Sequence, residues 1–183
     1  MSPIPPVDRS VLVSWDPETA FRRFALAFGT WWPSHSHSIG GRRVKRVVLE
    51  PRTDGLIYEE HVDGRRFQWG QIQEWDPPRG LRFTWHPTFD ADKAQDVSVT
   101  FSVESKGTRV RLVSTGWEKH GEKALGMRRG YDLGWGHILQ LWAGQWSVSR
   151  VLLESVMAVL RFFSRFRGLD RQIAKARGEM PAG

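Results

Sequence analysis

A series of turn-forming clusters between Val44 and Thr115 constrains this chain more than any other feature of it. Pro51-Arg52-Thr53-Asp54-Gly55, Asp63-Gly64, Asp76-Pro77-Pro78-Arg79-Gly80 and Lys106-Gly107 divide the segment into runs of strand length. Within the runs apolar residues alternate, most clearly as Leu81/Phe83/Trp85, Val97/Val99/Phe101/Val103 and Val110/Leu112. Arg82, Thr84, Ser98, Thr100, Arg109 and Arg111 fill the intervening positions. Successive side chains of an extended chain point to opposite faces, so this pattern predicts an antiparallel meander of six strands, covered on one face and wet on the other.

A sheet with one apolar face needs a cover, and the segment Glu122 to Trp146 is suited to supply it. Tyr131, Trp135, Ile138, Leu139, Trp142 and Trp146 recur at helical spacing and form a mostly aromatic stripe. The same segment carries Gly126, Gly130, Gly134, Gly136 and Gly144, and an internal glycine costs a helix about 0.8 to 1 kcal/mol relative to alanine. Packing or function must offset that cost. Gly126, Gly130 and Gly134 lie four apart and predict a smooth groove, either for close packing on the sheet or for the approach of another backbone or a ligand.

Ahead of the meander, Val11, Val13 and Trp15 alternate with Leu12 and Ser14 as a first strand. Asp16, Pro17 and Glu18 then stand in the order a helix start prefers. Phe21, Phe24, Ala25 and Phe28 give that short helix one buried face, and Gly29 is its expected stop.

Cysteine is absent, which excludes disulfides, thiolate metal sites and cysteine nucleophiles and fits a cytoplasmic location. The first eight residues hold three prolines and an aspartate, unlike a secretory signal, and no apolar stretch is long enough to span a bilayer. The formal charge of +7 is spread thinly, apart from Arg42, Arg43, Lys45 and Arg46. After Trp146, six Arg and one Lys against two Glu and one Asp supply more than half of the excess. Nucleic-acid binding, which gathers charge on one face, is not expected.

One strand, a helical insertion, a meander and a long helix are joined by short motifs: Trp31-Trp32-Pro33, Glu50-Pro51, Trp69-Gly70 and Glu74-Trp75-Asp76-Pro77-Pro78. Leu81-Arg82-Phe83-Thr84-Trp85, Thr108-Arg109-Val110, Gly116-Trp117-Glu118 and Gly130-Tyr131-Asp132-Leu133-Gly134-Trp135 continue the series. In this order, from Val11 to about Trp146, the chain resembles the AHSA-type (activator of heat-shock protein 90 ATPase homologue-like) proteins of the SRPBCC superfamily, the START and birch-pollen-allergen-like group. The resemblance implies an α+β helix-grip fold: a curved antiparallel sheet of about seven strands on a long C-terminal helix, with a short helix insertion between the first two strands. It also implies a deep cavity between sheet and helix, in a family whose members bind different molecules and some of which catalyse reactions. The expected division is a ligand-binding domain over residues 8–146 and an amphipathic basic extension over 147–183.

The walls of such a cavity fall to Trp31, Trp32, Trp69, Phe83, Trp85, Trp135, Leu139 and Trp142, each of which serves equally well as plain core. Glu59, with His61 and Gln71, is the polar candidate for orienting a ligand. Both registers of the run Leu56 to Val62 mix apolar and charged residues, however, so the default for Glu59 is solvent exposure. His35 and His37 sit two apart in a polar loop with no third ligand in evidence, so no metal site is assigned. Phosphate-cradling glycine loops, the Gly-x-Ser-x-Gly elbow, His-Glu-x-x-His and the dinucleotide fingerprint are all missing, and no cofactor is expected. An acid or base pair from distant positions such as Glu59, His61 and Asp132 stays open.

Beyond Trp146, Val148, Val151, Leu152, Val156, Val159, Leu160 and Phe163 form an apolar stripe opposite Arg150, Glu154, Arg161 and Arg165. This extra amphipathic helix suits packing on its own domain, a homodimer contact or a peripheral membrane contact. The leading functional expectation is non-enzymatic binding of an apolar or amphipathic small molecule. A protein-interaction or chaperone-linked regulator acting through the basic extension is the second reading, and a cyclase- or hydrolase-like enzyme, marked by a buried paired acid or base, is the third.

Overall fold

The computed structural model describes residues 4–87 and 89–145. Seven strands, β1 (Val7–Val13), β2 (Val44–Leu49), β3 (Leu56–His61), β4 (Arg66–Asp76), β5 (Gly80–Trp85), β6 (Gln95–Glu104) and β7 (Gly107–Thr115), form one antiparallel sheet in the order β1-β7-β6-β5-β4-β3-β2. The six strands expected between Val44 and Thr115 are all present, and the first strand of the chain closes the sheet beside the last. Register sets Phe83 opposite Val97, Val99 opposite Leu112 and Val11 opposite Val110, so the alternating apolar residues line one face. Each fully buried side chain of this size contributes about 1.5 to 3 kcal/mol. The apolar face ends at Phe101, because Val103, expected to belong to it, lies near the tip of the β6–β7 hairpin and is 77% exposed. The other face carries ion pairs, Arg82 with Glu74, Arg109 with Glu104 and Arg111 with Asp8, which in water contribute little.

The insertion between β1 and β2 begins as its sequence requires. The Asp16 carboxylate accepts from the backbone N–H of Thr19 at 2.9 Å and caps α1 (Pro17–Phe21). A wider π turn at Arg22–Leu26 leads to α2 (Phe28–Trp31), and a single helical turn, α3 (Ser34–His37), follows. Gly29 does not stop the helix, contrary to expectation. It lies inside α2, where a β-carbon would fall 2.3 Å from the carbonyl oxygen of Val47, so the glycine lets α2 press onto β2. Phe21, Phe24, Ala25 and Phe28 are buried as the spacing predicted.

The long helix α4 runs from Ala124 to Trp142, shorter at both ends than the sequence predicted. It follows 3-10 turns over Trp117–Lys123 in which Gly121 is left-handed in φ, and it stops before Gly144, whose φ of 68° is the usual helix-ending conformation. Trp135, Ile138, Leu139 and Trp142 are buried and Tyr131 is half-buried. Arg9 on β1 donates to Asp132 at 2.7 Å and ties the helix to the sheet edge. Gly126, Gly130 and Gly134 do not pack on the sheet, since a β-carbon at any of them meets nothing within 4 Å among the described residues. No described helix is long and apolar enough to cross a membrane. Trp146 and the extension over 147–183 lie outside the described residues.

Candidate functional site

The inner face of the sheet is shaped by a bulge. Ile57 pairs with Gly70 and Tyr58 with Gln68, which leaves Trp69 as the extra residue of β4. The shift lets Trp69 and Ile72, of opposite parity, both point inward and become fully buried. Gly70 supports the crossing, because a β-carbon there would fall 1.7 Å from the Thr84 carbonyl oxygen. From the opposite side the Trp32 ring meets Trp69 at 5.3 Å, Trp85 at 5.4 Å and Trp135 at 6.4 Å between centroids. Trp85 in turn meets Trp135 at 5.2 Å, Trp69 at 5.4 Å and Phe83 at 5.8 Å, while Trp31 adjoins Trp32 at 5.9 Å. Six of the eight apolar residues picked out from the sequence thus form one cluster of touching rings, at separations typical of attractive edge-on and tilted pairs. Trp142 touches none of these six rings directly and joins them through Phe24, which it meets at 5.4 Å and which meets Trp31 at 5.2 Å; it also packs on Trp15 at 5.3 Å, and Leu139 is buried one turn before it.

The polar ends of these rings differ. Trp31 donates its indole N–H to the Phe24 carbonyl at 2.9 Å and Trp32 donates to the His37 carbonyl at 3.0 Å. The indole N–H groups of Trp69, Trp135 and Trp142 are buried without an acceptor. An unpaired buried donor costs about 1 to 3 kcal/mol, so each of these three N–H groups is a place where an acceptor would stabilise the interior.

Glu59 departs from the expected exposure and is 0% exposed. The loop before β2 offers it a set of donors: the N–H of Gly40 reaches Oε1 at 2.7 Å and the N–H of Ile39 reaches Oε2 at 2.9 Å. His61, on the same inner face of β3, is 2% exposed and lies 2.5 Å from Oε1 through Nε2. Its ring packs on Phe67 at 4.5 Å, and its Nδ1 is buried with no hydrogen-bond partner. Glu60 faces the opposite way, where Arg46 at 2.9 Å and then Arg66 at 3.1 Å pull its carboxyl down to about 2. Gln71 is exposed and donates to the Asp54 carbonyl at 3.3 Å, on the outside of the sheet. Asp132 is engaged by Arg9 and Arg128 on the outer flank of α4 and belongs to neither polar group.

His35 is exposed, whereas His37 stacks on His137 of α4 at 5.6 Å and 24° between ring planes. No group of three metal-ligating side chains occurs among the described residues. No local pattern marks His137 as buried: it lies off the aromatic stripe of α4 and owes its burial to its setting in the folded chain. A surface groove of about 350 Å³ along Leu12–Trp15, Lys106, Ala143 and Gln145 shares no lining residue with the tryptophan cluster.

The model of the activator of Hsp90 ATPase homolog 1-like (AHSA1) proteins matches residues 21–141. The chain belongs to the AHSA1 family. Among solved structures, the anthrahydroquino-γ-pyrone synthase Txn09, determined as a complex, is 33% identical with a TM-score of 0.51, over 79% of this chain and 98% of that one. Protein MLL2253 from Mesorhizobium loti (16% identity, TM-score 0.54, 77% and 96% coverage) shares the fold. So does the protein of unknown function SA2116 from Staphylococcus aureus (11%, 0.56, 77% and 92%). No curated protein matches the chain. The chain thus has the AHSA-type SRPBCC fold of a ligand-binding or cyclase-like family.

Proposed function

We propose that this AHSA1 domain binds a flat, largely apolar small molecule bearing carbonyl-type acceptors, at the cluster of Trp32, Trp69, Trp85 and Trp135. The observation that carries the reading is the pair of buried indole N–H groups of Trp69 and Trp135 that lack an acceptor. The rings touch, so a ligand enters by parting them; it exchanges ring-on-ring contact for ring-on-ligand stacking and brings the missing acceptors. The 33% identity to a synthase named for a fused aromatic pyrone supports a polycyclic ligand of this kind.

Titration of the protein with an anthraquinone, followed by tryptophan fluorescence, tests this. Saturable quenching is expected, with Trp69→Phe and Trp135→Phe each weakening binding by about tenfold, the equivalent of one ordinary hydrogen bond. Unquenched emission across a series of polycyclic carbonyl compounds would refute the reading. The alternative of a protein-interaction or chaperone-linked regulator, like a homodimer or membrane contact, was placed on residues 147–183, which lie outside those described.

A further inference from the structure

The Glu59–His61 pair has the connectivity of an oriented imidazole base. Glu59 is fixed by two backbone N–H groups and by His61, and no Lys or Arg pairs with it among the described residues. With the Glu59 carboxylate 2.5 Å from Nε2, a ring that donates there presents its other nitrogen, Nδ1, as an acceptor. That Nδ1 has no partner and is shut off from solvent, and His61 shares the inner face of β3 with Ile57, whose partner Gly70 follows Trp69 on β4. A structural role would be complete with Glu59 and the two loop N–H groups, and a buried Nδ1 with no protein partner only subtracts from it. The half-buried ring of Phe67 packs against the imidazole and separates it from solvent on that side.

We infer that His61 is a proton acceptor acting through Nδ1 on a hydroxyl of the bound ring system, with Glu59 as its positioning residue; the inference rests on the binding reading above. In the step, the substrate O–H bond breaks and an Nδ1–H bond forms. The oxygen keeps the electron pair, and the imidazolium is stabilised by the Glu59 carboxylate at Nε2. The proton returns to the substrate afterwards, so the reaction class served is an isomerisation or ring closure with no net gain or loss of atoms.

The test uses the full chain and β-hydroxyanthraquinone, whose visible absorption shifts when its phenol ionises, in buffer below the probe's own ionisation. Fluorescence quenching reports binding and the absorption band reports proton transfer. Wild type is expected to quench and to show the phenolate band, His61→Gln to quench without the band, and Glu59→Gln to quench with a diminished band. Quenching with no band in wild type, or an undiminished band in His61→Gln, overturns the inference and leaves the binding reading standing. Absence of quenching by this probe in wild type overturns the inference for it, and absence across the series of polycyclic carbonyl compounds overturns both. Should His61→Gln fail to fold, nitrogen NMR of wild-type His61 decides: Nδ1 is expected unprotonated in the free protein and protonated with the probe, and an Nδ1 unchanged by bound probe overturns the inference.

Discussion

The imidazole of His61 lies against the bare α-carbon of Gly40, so closely that a β-carbon there would stand 2.2 Å from Nε2 and 2.5 Å from Cε1. The same glycine donates its N–H to Glu59, so one residue both makes room for the ring and holds its partner.

Gly40→Ala is therefore expected to destabilise the domain by about 1 to 3 kcal/mol in denaturant unfolding, the usual cost of overpacking. Combining it with His61→Ala removes the obstacle, and the double variant is expected to be more stable than the two single losses sum to, with a coupling of about 0.5 to 3 kcal/mol. Strict additivity would show that ring and glycine are not in contact.

Glu60 sets an acid limit. Its carboxyl is lowered to about 2, first by Arg46 and then by Arg66, below the ordinary carboxylate value of the unfolded chain. A carboxyl depressed in the folded state stabilises it fully above the unfolded value, and that contribution fades as pH falls from about 4.5 toward 2. The melting temperature of wild type is expected to exceed that of Glu60→Gln at neutral pH, with the gap closing across that window. High salt should narrow the gap at neutral pH, since the two arginines are more than half exposed. A gap that persists below the window would mean that Glu60 acts through packing.

Trp69→Phe and Trp135→Phe are expected to cost the ligand-free protein well under the roughly 3 to 5 kcal/mol of truncation to alanine. Each removes an unpaired buried N–H whose burden is about 1 to 3 kcal/mol, which offsets part of the lost ring area. Thermal unfolding of Trp32→Phe, where the N–H is paired with the His37 carbonyl, supplies the contrast and is expected to show the larger loss. Equal losses at the three positions would mean that the Trp69 and Trp135 donors are paired in solution.

Legibility from sequence followed the range of the forces involved. The cap at Asp16, the turn at Gly64 with φ of 83° and the α4 stripe at Trp135, Ile138, Leu139 and Trp142 are decided by residues a few positions apart, and all were readable. The inward turn of Glu59 was not, because its donors come from Ile39 and Gly40, some twenty residues earlier. Strand parity also fails across the β3–β4 bulge, which brings odd-numbered Trp69 and even-numbered Ile72 to one face. Trp142 was grouped with the other tryptophans because a helical stripe records direction, whereas the partners of its ring, Trp15 and Phe24, are set by the path of the insertion.

The glycines of α4 offer a further measurement. Nothing among the described residues lies within 4 Å of a β-carbon at Gly126 or Gly130, so alanine at either position is expected to stabilise the helix by about 0.8 to 1 kcal/mol. Thermal melting of the full chain checks it. A loss of stability would reveal that another surface seats on that side of the helix.

Placing β1 beside β7 has a consequence for how the chain comes into being. During synthesis β1 has no neighbour in its sheet to pair with until Gly107–Thr115 has also emerged, and the phenylalanines that follow it have no finished sheet to rest on. Until that last strand arrives residues 7–13 stay unpaired, so the nascent chain is at its most vulnerable to premature association before then.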